Sequence, residues 1–459
     1  MTNDATTPPR PRSGVSRLPG LEGRIPRPRR TAVVLSTMGS LGDLYPVLSI
    51  ARHLDQSGIE VRLALSPDDC DMARRWGLLA TPVGPSEAEI CDRLGVTRDQ
   101  IAREVLRDPG PLIRDVLIPM LPALTEELAP LTHGAAVVAA TAFALHAPLA
   151  AERAGLPYVP LILQPMMLFS ALDPPRSRRF GATVPAPANP LTRAWNRAWI
   201  GTARAVLRAR HAADLTRVRA GFDLPPQPGT PLLDHGATVP LRLGLWSDRF
   251  APAPADRPAD FEVVGFPAAP DGDLPQPVID WLDAGPAPLA VTLGSVAQRL
   301  GGERFWAEAV ALARRMGLRA VLLRGEAEVP QGPDILSLHY APHAPLFPRA
   351  AAVLHHGGIG STAEALRAGR PQLVVPVGGD QPDNAARLER MGVAVSIDAK
   401  RFRADRAAAR LTDLLGRFDY GAAATLGEAI AGRNGASIAA LHLARLALQS
   451  RPRPLAVVS

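Results

Sequence analysis

Lysine is all but absent from this 459-residue chain: Lys400 is the only one, while arginine, alanine and proline are abundant. That bias looks like a GC-rich genome, so a formal net charge of +7 is not by itself evidence of an acidic ligand. Cysteine is nearly as scarce. Cys70 and Cys91 are too few for a disulfide framework and lack metal-ligand spacing. No apolar run approaches the ~18 residues needed to cross a bilayer. The longest, 135–145 and 159–172, are short or broken by Gln164 and Pro165. The first 30 residues also lack an apolar stretch, which excludes a secretory signal. These absences lead us to expect a soluble, cytoplasmic protein.

The charge is unevenly placed. Residues 1–30 hold seven arginines against Asp4 and Glu22, and so carry five of the seven net positive charges, together with six prolines. We expect a disordered, solvated tail there. The remainder is near neutral, which argues against a nucleic-acid-binding surface. Its 47% hydrophobic and 21% charged residues are those of a globular protein, and the length favours two or more domains.

Residues 31–36, "TAVVLS", form a β-branched and apolar run of the kind buried on both faces of a parallel sheet. A glycine turn, a helical pattern over 46–57, Gly58 as a stop and the strand "EVRLALS" complete a βαβ unit. The alternation recurs with "AAVVAAT" and "PYVPLIL". It restarts after a proline-rich region at 247–277 with "PLAVTLG", "RAVLLRG", "AAVLHH" and "PQLVVPV". The expected fold is α/β, with two doubly wound, Rossmann-like domains joined by a linker and ligands in the cleft at the strands' carboxyl ends. We expect a tail at 1–30, an N-terminal domain at 31–246, a linker at 247–277, a C-terminal domain with the final helix at 278–450, and a tail at 451–459.

Three loops at those carboxyl ends carry chemistry. In "MGSLGDLYP", 38–46, Asp43 is either the N-cap of the next helix or a carboxylate facing the cleft. The spacing is not GxGxxG, so a dinucleotide fingerprint is unsupported. In "TLGSVAQ", 292–298, Gly294 and Ser295 form either an ordinary turn or a phosphate-contacting loop. The third, "VLHHGGIGSTAEALRAGRPQLVVPVGGDQPDN", 353–384, is the richest. Its turn at 357–360 enters a helix near Ser361, whose free N–H groups and dipole favour an anion. His356 can donate to that anion, and Glu364, a turn further on, can hold the vicinal hydroxyls of a ribose. His355 faces the core. Asp380 and Gln381 return to the same rim after another strand, an acid and an amide suited to sugar hydroxyls. Together these parts read as a nucleotide-sugar site.

The segment resembles the donor-binding signature of glycosyltransferase family 1, the inverting enzymes of the GT-B fold. The matching residues are His356, Gly357, Gly358, Ile359, Gly360 and Ser361, then Glu364, then Asp380 and Gln381. "YAPHAPLF", 340–347, fits the upstream aromatic-Ala-Pro element, and the resemblance implies that Tyr340 stacks on the nucleobase. "GSLGDLYP" resembles the N-terminal loop of bacterial members, which makes Asp43 the catalytic base, and Ser295 matches the Gly-Ser phosphate loop. "DQPDNAARLERMG" looks most like rhamnolipid-type rhamnosyltransferases, alongside the macrolide and glycopeptide enzymes. Many plant members pair the base with a second Asp, whereas the corresponding strand here ends "AATAFALH" with no carboxylate.

The resemblance implies metal-independent, inverting transfer of a hexose or deoxyhexose from a UDP- or dTDP-linked donor, without a cofactor. The segment 161–172, with Gln164, Met167 and Phe169, is the expected acceptor wall, which suggests a lipophilic acceptor and peripheral membrane association through it. Two other readings share the residues: a sugar-nucleotide epimerase or hydrolase, and a non-catalytic nucleotide-sugar-binding subunit.

Overall fold

The computed structural model describes residues 31–449, apart from 178–179, 228, 230–231, 233–234 and 269–271, with side chains left out at 99 and 295–300. Runs of β-branched and apolar residues build two sheets. The first contains β1 (Ala32–Thr37), β2 (Glu60–Leu65), β3 (Ala80–Pro82), β4 (Ala135–Thr141), β5 (Tyr158–Ile162), β6 (Arg242–Gly244) and β7 (Phe261–Val263). The second contains β8 (Leu289–Thr292), β9 (Ala320–Leu323), β10 (Ile335–Leu338), β11 (Ala352–His355), β12 (Gln372–Val374) and β13 (Ala394–Ser396).

All the strand pairings are parallel. The orders are β3-β2-β1-β4-β5-β6-β7 and β10-β9-β8-β11-β12-β13. Each is a doubly wound sheet whose direction of winding reverses beside its first strand, between β1 and β4 and between β8 and β11. That crevice is where such sheets bind ligands. The alternation of side chains explains the fully buried runs: Val33 and Leu35 of β1 enter one core while Ala32 and Val34 enter the core on the other face. Leu289 and Val291 of β8 are parted from Ala290 in the same way.

Two elements reach across the expected domain boundaries. The region 247–277 is not only linker: Phe261–Val263 pairs with β6 as the edge strand of the first sheet. The final helix, Gly435–Gln449, packs on the N-terminal half. Its stripe of Ala436, Ala439, Ala440, Leu443 and Ala447 joins the core that also holds Leu44, Val47 and Leu54 of the first helix, Leu41–Gln56. Small residues at a helical period permit this close approach. Asn434, just before that helix, hydrogen-bonds His53 at 3.2 Å. The expected tails at 1–30 and 451–459 lie outside the described residues. Among the described residues, no helix is long and apolar enough to cross a membrane.

Candidate active site

β1 runs through Gly39 and Ser40 into the helix Leu41–Gln56, which starts five residues earlier than its apolar pattern predicts because Ser40 caps it. The Gly42 N–H donates to Ser40 Oγ at 3.2 Å. Asp43 reaches back from the third helical position, and its Oδ2 accepts from the Ser40 N–H at 2.9 Å and the Ser40 hydroxyl at 3.1 Å. This reciprocal pair is a capping box. The N-cap reading of Asp43 therefore belongs to Ser40, while Asp43 supplies the return half. Gly39 is required beside it: its φ is 144°, and a Cβ there would lie 2.4 Å from Asp43 Oδ2. Burial pushes the Asp43 carboxyl up to about 6, against the Ser40 hydrogen bonds, and the charge of Asp69 adds to the rise. The residue nonetheless keeps partial exposure. A reachable carboxylate titrating near 6 is a base suited to neutral pH.

At the second sheet's crevice, β11 delivers the two histidines. His355 is fully buried; its Nδ1 accepts from the Gly357 N–H at 3.1 Å, which leaves the ring proton on Nε2 to donate to Gln372 Oε1 at 3.0 Å. It thereby braces the glycine turn. His356 lies between two glycine loops. A Cβ on Gly294 would come within 2.5 Å of its Cε1, and one on Gly358 within 2.3 Å of its Nε2. The loop after β8 and the turn after β11 thus meet on one imidazole. Burial, helped by His355 and His343, holds His356 down at about 3, so it is neutral and offers one N–H. Its Nδ1 is buried without a partner.

Gly358 is the N-cap of the helix Ile359–Arg367, and no side chain caps that end. Gly360, in its first turn, is exposed, with nothing within 4 Å of a Cβ placed there. The helix therefore presents bare N–H groups to open space beside a neutral donor, an anion site by geometry. Ser361 is buried in the same turn. Glu364 is buried and paired with Arg367, which also donates to the carbonyls of Phe266 at 3.1 Å and Pro267 at 2.7 Å. Tyr340, 54% exposed, feels the charge of Glu364 and meets the phenol of Tyr45 from the first helix. Burial first, then Tyr340, pushes Tyr45 up to about 12. Tyr45 also stacks on Trp76, with ring centroids 5.8 Å apart.

Asp380 precedes the helix Gln381–Arg390. Its Oδ2 accepts from Asn384 Nδ2 at 2.7 Å, and the same Asn384 nitrogen donates to the Gly357 carbonyl at 2.9 Å. Asn384, one turn along from Asp380, ties the carboxylate to the glycine turn. Sequence reasoning missed that role, although the i, i+4 spacing was its signal. Burial pushes Asp380 up to about 7, and the charge of Asp43 adds to the rise. Gln381 is more committed than expected: its Oε1 accepts from the N–H groups of Val377 at 2.7 Å and Gly378 at 3.1 Å, and its amide nitrogen takes no part in those bonds.

A buried ion pair sits behind them. Arg387, 2% exposed, donates to Asp383 Oδ2 at 2.8 Å and to Asp173 Oδ2 at 2.6 Å, in the loop that follows β5. Asp383 also accepts from the Arg176 N–H at 2.9 Å. The polar pair Asp383-Asn384 is thus occupied on both sides, one residue by the loop after β5 and the other by the glycine turn.

Known proteins share this sequence and fold. Residues 319–435 match the C-terminal domain described as erythromycin biosynthesis protein CIII-like. The chain is 31% identical over 378 residues to glycosyltransferase GtfE of Amycolatopsis orientalis, covering 80% of this chain and 86% of that one. It is 33% identical over 376 residues to O-mycaminosyltylonolide 6-deoxyallosyltransferase of Streptomyces fradiae, covering 79% and 84%. It belongs to the family 1 glycosyltransferases. The solved structure of the spinosyn rhamnosyltransferase SpnG, complexed with thymidine diphosphate, shares the fold at a TM-score of 0.61 and 18% identity, covering 90% of this chain and 100% of that one.

In this glycosyltransferase the segment after β5 forms a short 3₁₀ turn, Pro165–Leu168. Gln164, Met167 and Phe169 are each partly exposed there, whereas Leu168 is buried. Phe169 adopts a left-handed φ of 47°, a strained conformation for a non-glycine residue. Its ring meets Phe180 edge-on with centroids 5.6 Å apart. The side chain of Ser295 lies outside the described residues; its backbone is in the first turn of the helix Gly294–Arg315.

Proposed function

We propose that this glycosyltransferase inverts the anomeric centre of a nucleoside-diphosphate sugar while transferring it to a hydroxyl of a lipophilic acceptor. The observation that carries the reading is the pairing of crevices: the charge of Asp43, in the first turn of the helix after β1, reaches Asp380 beyond β12. The neutral His356 and an uncapped helix stand at the second crevice.

In this reading the bare N–H groups at Gly360 and Ser361, His356 and Ser295 hold the diphosphate, beside Gly358. Their fixed dipoles stabilise charge as it builds on the leaving group. Tyr340 stacks on the base, and Glu364 takes the ribose hydroxyls, with Arg367 keeping its carboxylate in place. Asp380 and the amide nitrogen of Gln381 orient the sugar. Asp43 removes the acceptor's proton as its oxygen attacks the anomeric carbon, and the diphosphate leaves from the opposite face. Help of this kind is worth roughly 10²–10⁴-fold. Gln164, Met167 and Phe169 line the acceptor side, and the enzyme works in the cytoplasm. SpnG holds thymidine diphosphate and the 6-deoxyallosyltransferase is named for a deoxysugar, which supports a dTDP-linked deoxyhexose as the donor.

The test is a thermal-shift panel of dTDP-, UDP- and GDP-sugars. Bound donor adds RT ln(1 + [L]/Kd) to stability. A melting temperature raised by dTDP- or UDP-sugars and unmoved by GDP-sugars is the expected result. No response to any of them would remove the donor site.

A further inference from the structure

Two elements of the N-terminal half hold the segment 378–387, which carries Asp380 and Gln381. The first is the helix Arg98–Arg107. Its Leu106 carbonyl accepts from the Gly379 N–H at 2.7 Å. A Cβ on Gly378 would lie 2.2 Å from that same oxygen, so the approach needs a glycine. The Leu106 side chain packs against the core that holds Leu289 and Val291 of β8. The second element is the loop after β5. Asp173 Oδ2 accepts from Arg387 Nη1 at 2.6 Å, and its Oδ1 stands 3.8 Å from Arg390 Nη2. Three residues on, the Arg176 N–H donates to Asp383 Oδ1 at 2.9 Å. Pro174 and Pro175 between them are buried, and their fixed φ angles link the two contacts stiffly.

Arg387 and Asp383 are almost fully buried. Such a pair gives up its water and adds little net stability over apolar residues of the same volume. What it supplies is direction, because charged hydrogen bonds fix one geometry where apolar surfaces can slide. The helix Gln381–Arg390 passes that geometry on: Asp380 lies three residues before Asp383, about 4.5 Å along the axis. Gln381 is fixed from the other side by the N–H groups of Val377 and Gly378, beside the Gly379 that Leu106 holds. The segment 161–172 is tied to the same loop. Ser170 Oγ accepts from the N–H groups of Leu172 and Asp173, each at 3.0 Å, and donates to Asp256 at 2.5 Å. A shift of that segment therefore reaches Asp173, and through Arg387 it reaches the helix that starts at Asp380.

We propose that Asp173, Arg387 and Asp383 are positioning residues, which set Asp380 and Gln381 in register with the acceptor side of the site. The proposal rests on the reading of Asp380 and Gln381 as the pair that holds the sugar. Asp173→Asn tests it, because Arg387 keeps Asp383 and no buried charge is left unpaired. Asp173→Glu and Asp380→Ala are measured beside it in the full chain. The readouts are dTDP affinity by titration, melting temperature, and kcat with dTDP-rhamnose, dTDP-glucose and UDP-glucose on a panel of lipophilic phenols. In Asp173→Asn, dTDP affinity and melting temperature should hold while kcat falls about 10- to 100-fold, since a misplacement of about 1 Å costs about 100-fold. Asp173→Glu, which keeps the carboxylate, should recover most of that loss. Ordinary kcat in Asp173→Asn beside an impaired Asp380→Ala would overturn the positioning role and leave the sugar reading standing. Ordinary kcat in both, or no transfer by the unmodified chain, would remove the sugar reading and this proposal with it. A lowered melting temperature with kcat unchanged, or a Glu variant no better than Asn, would make the cluster structural only and overturn the proposal.

Discussion

Asp43→Asn separates the two jobs of one side chain. Asn keeps an oxygen that can accept from the Ser40 N–H, so the helix start survives. What it loses is a carboxylate whose pKa burial raises from 3.8 to about 6. Because the folded value lies above the unfolded one, the folded state holds the proton more tightly. The associated stability is therefore fully present below pH 3.8 and is lost as pH rises to about 6. Two pKa units correspond to about 3 kcal/mol, and partial solvent access reduces this to about 1–3 kcal/mol. Asn carries no charge to bury. The variant should thus be more stable than the unmodified protein at pH 8 by about 1–3 kcal/mol and nearly equal to it at pH 4. Turnover should fall by about 10²–10⁴ with donor affinity kept. Urea unfolding at the two pH values, with kcat measured alongside, gives both numbers. A variant of ordinary turnover would refute the catalytic assignment, and one destabilised at pH 8 would make Asp43 chiefly a helix device.

His356→Ala should weaken dTDP or UDP binding by roughly ten- to hundred-fold, the worth of a hydrogen bond to a charged group; calorimetric titration checks it, and unchanged affinity removes His356 from the diphosphate. Asn384→Ala leaves Asp380 and the Gly357 carbonyl without their shared donor, and should lower donor affinity by roughly three- to tenfold in the same titration. It should also raise the Asp380 pKa above about 7, because the lost hydrogen bond lowers it. A backbone unchanged in donor affinity would show that Asp380 needs no such support. Activity should survive exhaustive EDTA treatment, since fixed dipoles balance the leaving group in this account; loss restored by magnesium or manganese would require a metal-dependent route.

The two-sheet architecture was legible because β1 and β4 are unbroken apolar runs, which only a strand covered on both faces explains. The candidate site loops are legible for a related reason: each stands where a strand ends in glycine. Long-range partners were not legible. The apolar period of Gly435–Gln449 marks an inward face but does not say which sheet it covers, and the answer lies nearly four hundred residues upstream at Leu44 and Val47. "FEV", three residues among prolines, is too short to read as a strand without its neighbour β6. Within the site, Glu364 gave no sign of its pairing with Arg367 as anything but a surface i, i+3 pair. Gln381 likewise gave no sign that its carbonyl oxygen turns back to hold Val377 and Gly378. In the sequence Asp43 is either a cap or a base, and the capping box shows that the geometry of one does not exclude the other.

The most direct measurement is the stereochemistry of transfer. An α-linked dTDP-deoxyhexose or UDP-hexose is incubated with a panel of lipophilic alcohols and phenols, and the product's anomeric configuration is read by one-bond carbon–proton coupling. The account predicts nucleoside diphosphate released only when an acceptor is present, and a β-linked product. Donor consumed without acceptor, or a product that keeps the α configuration, would contradict it.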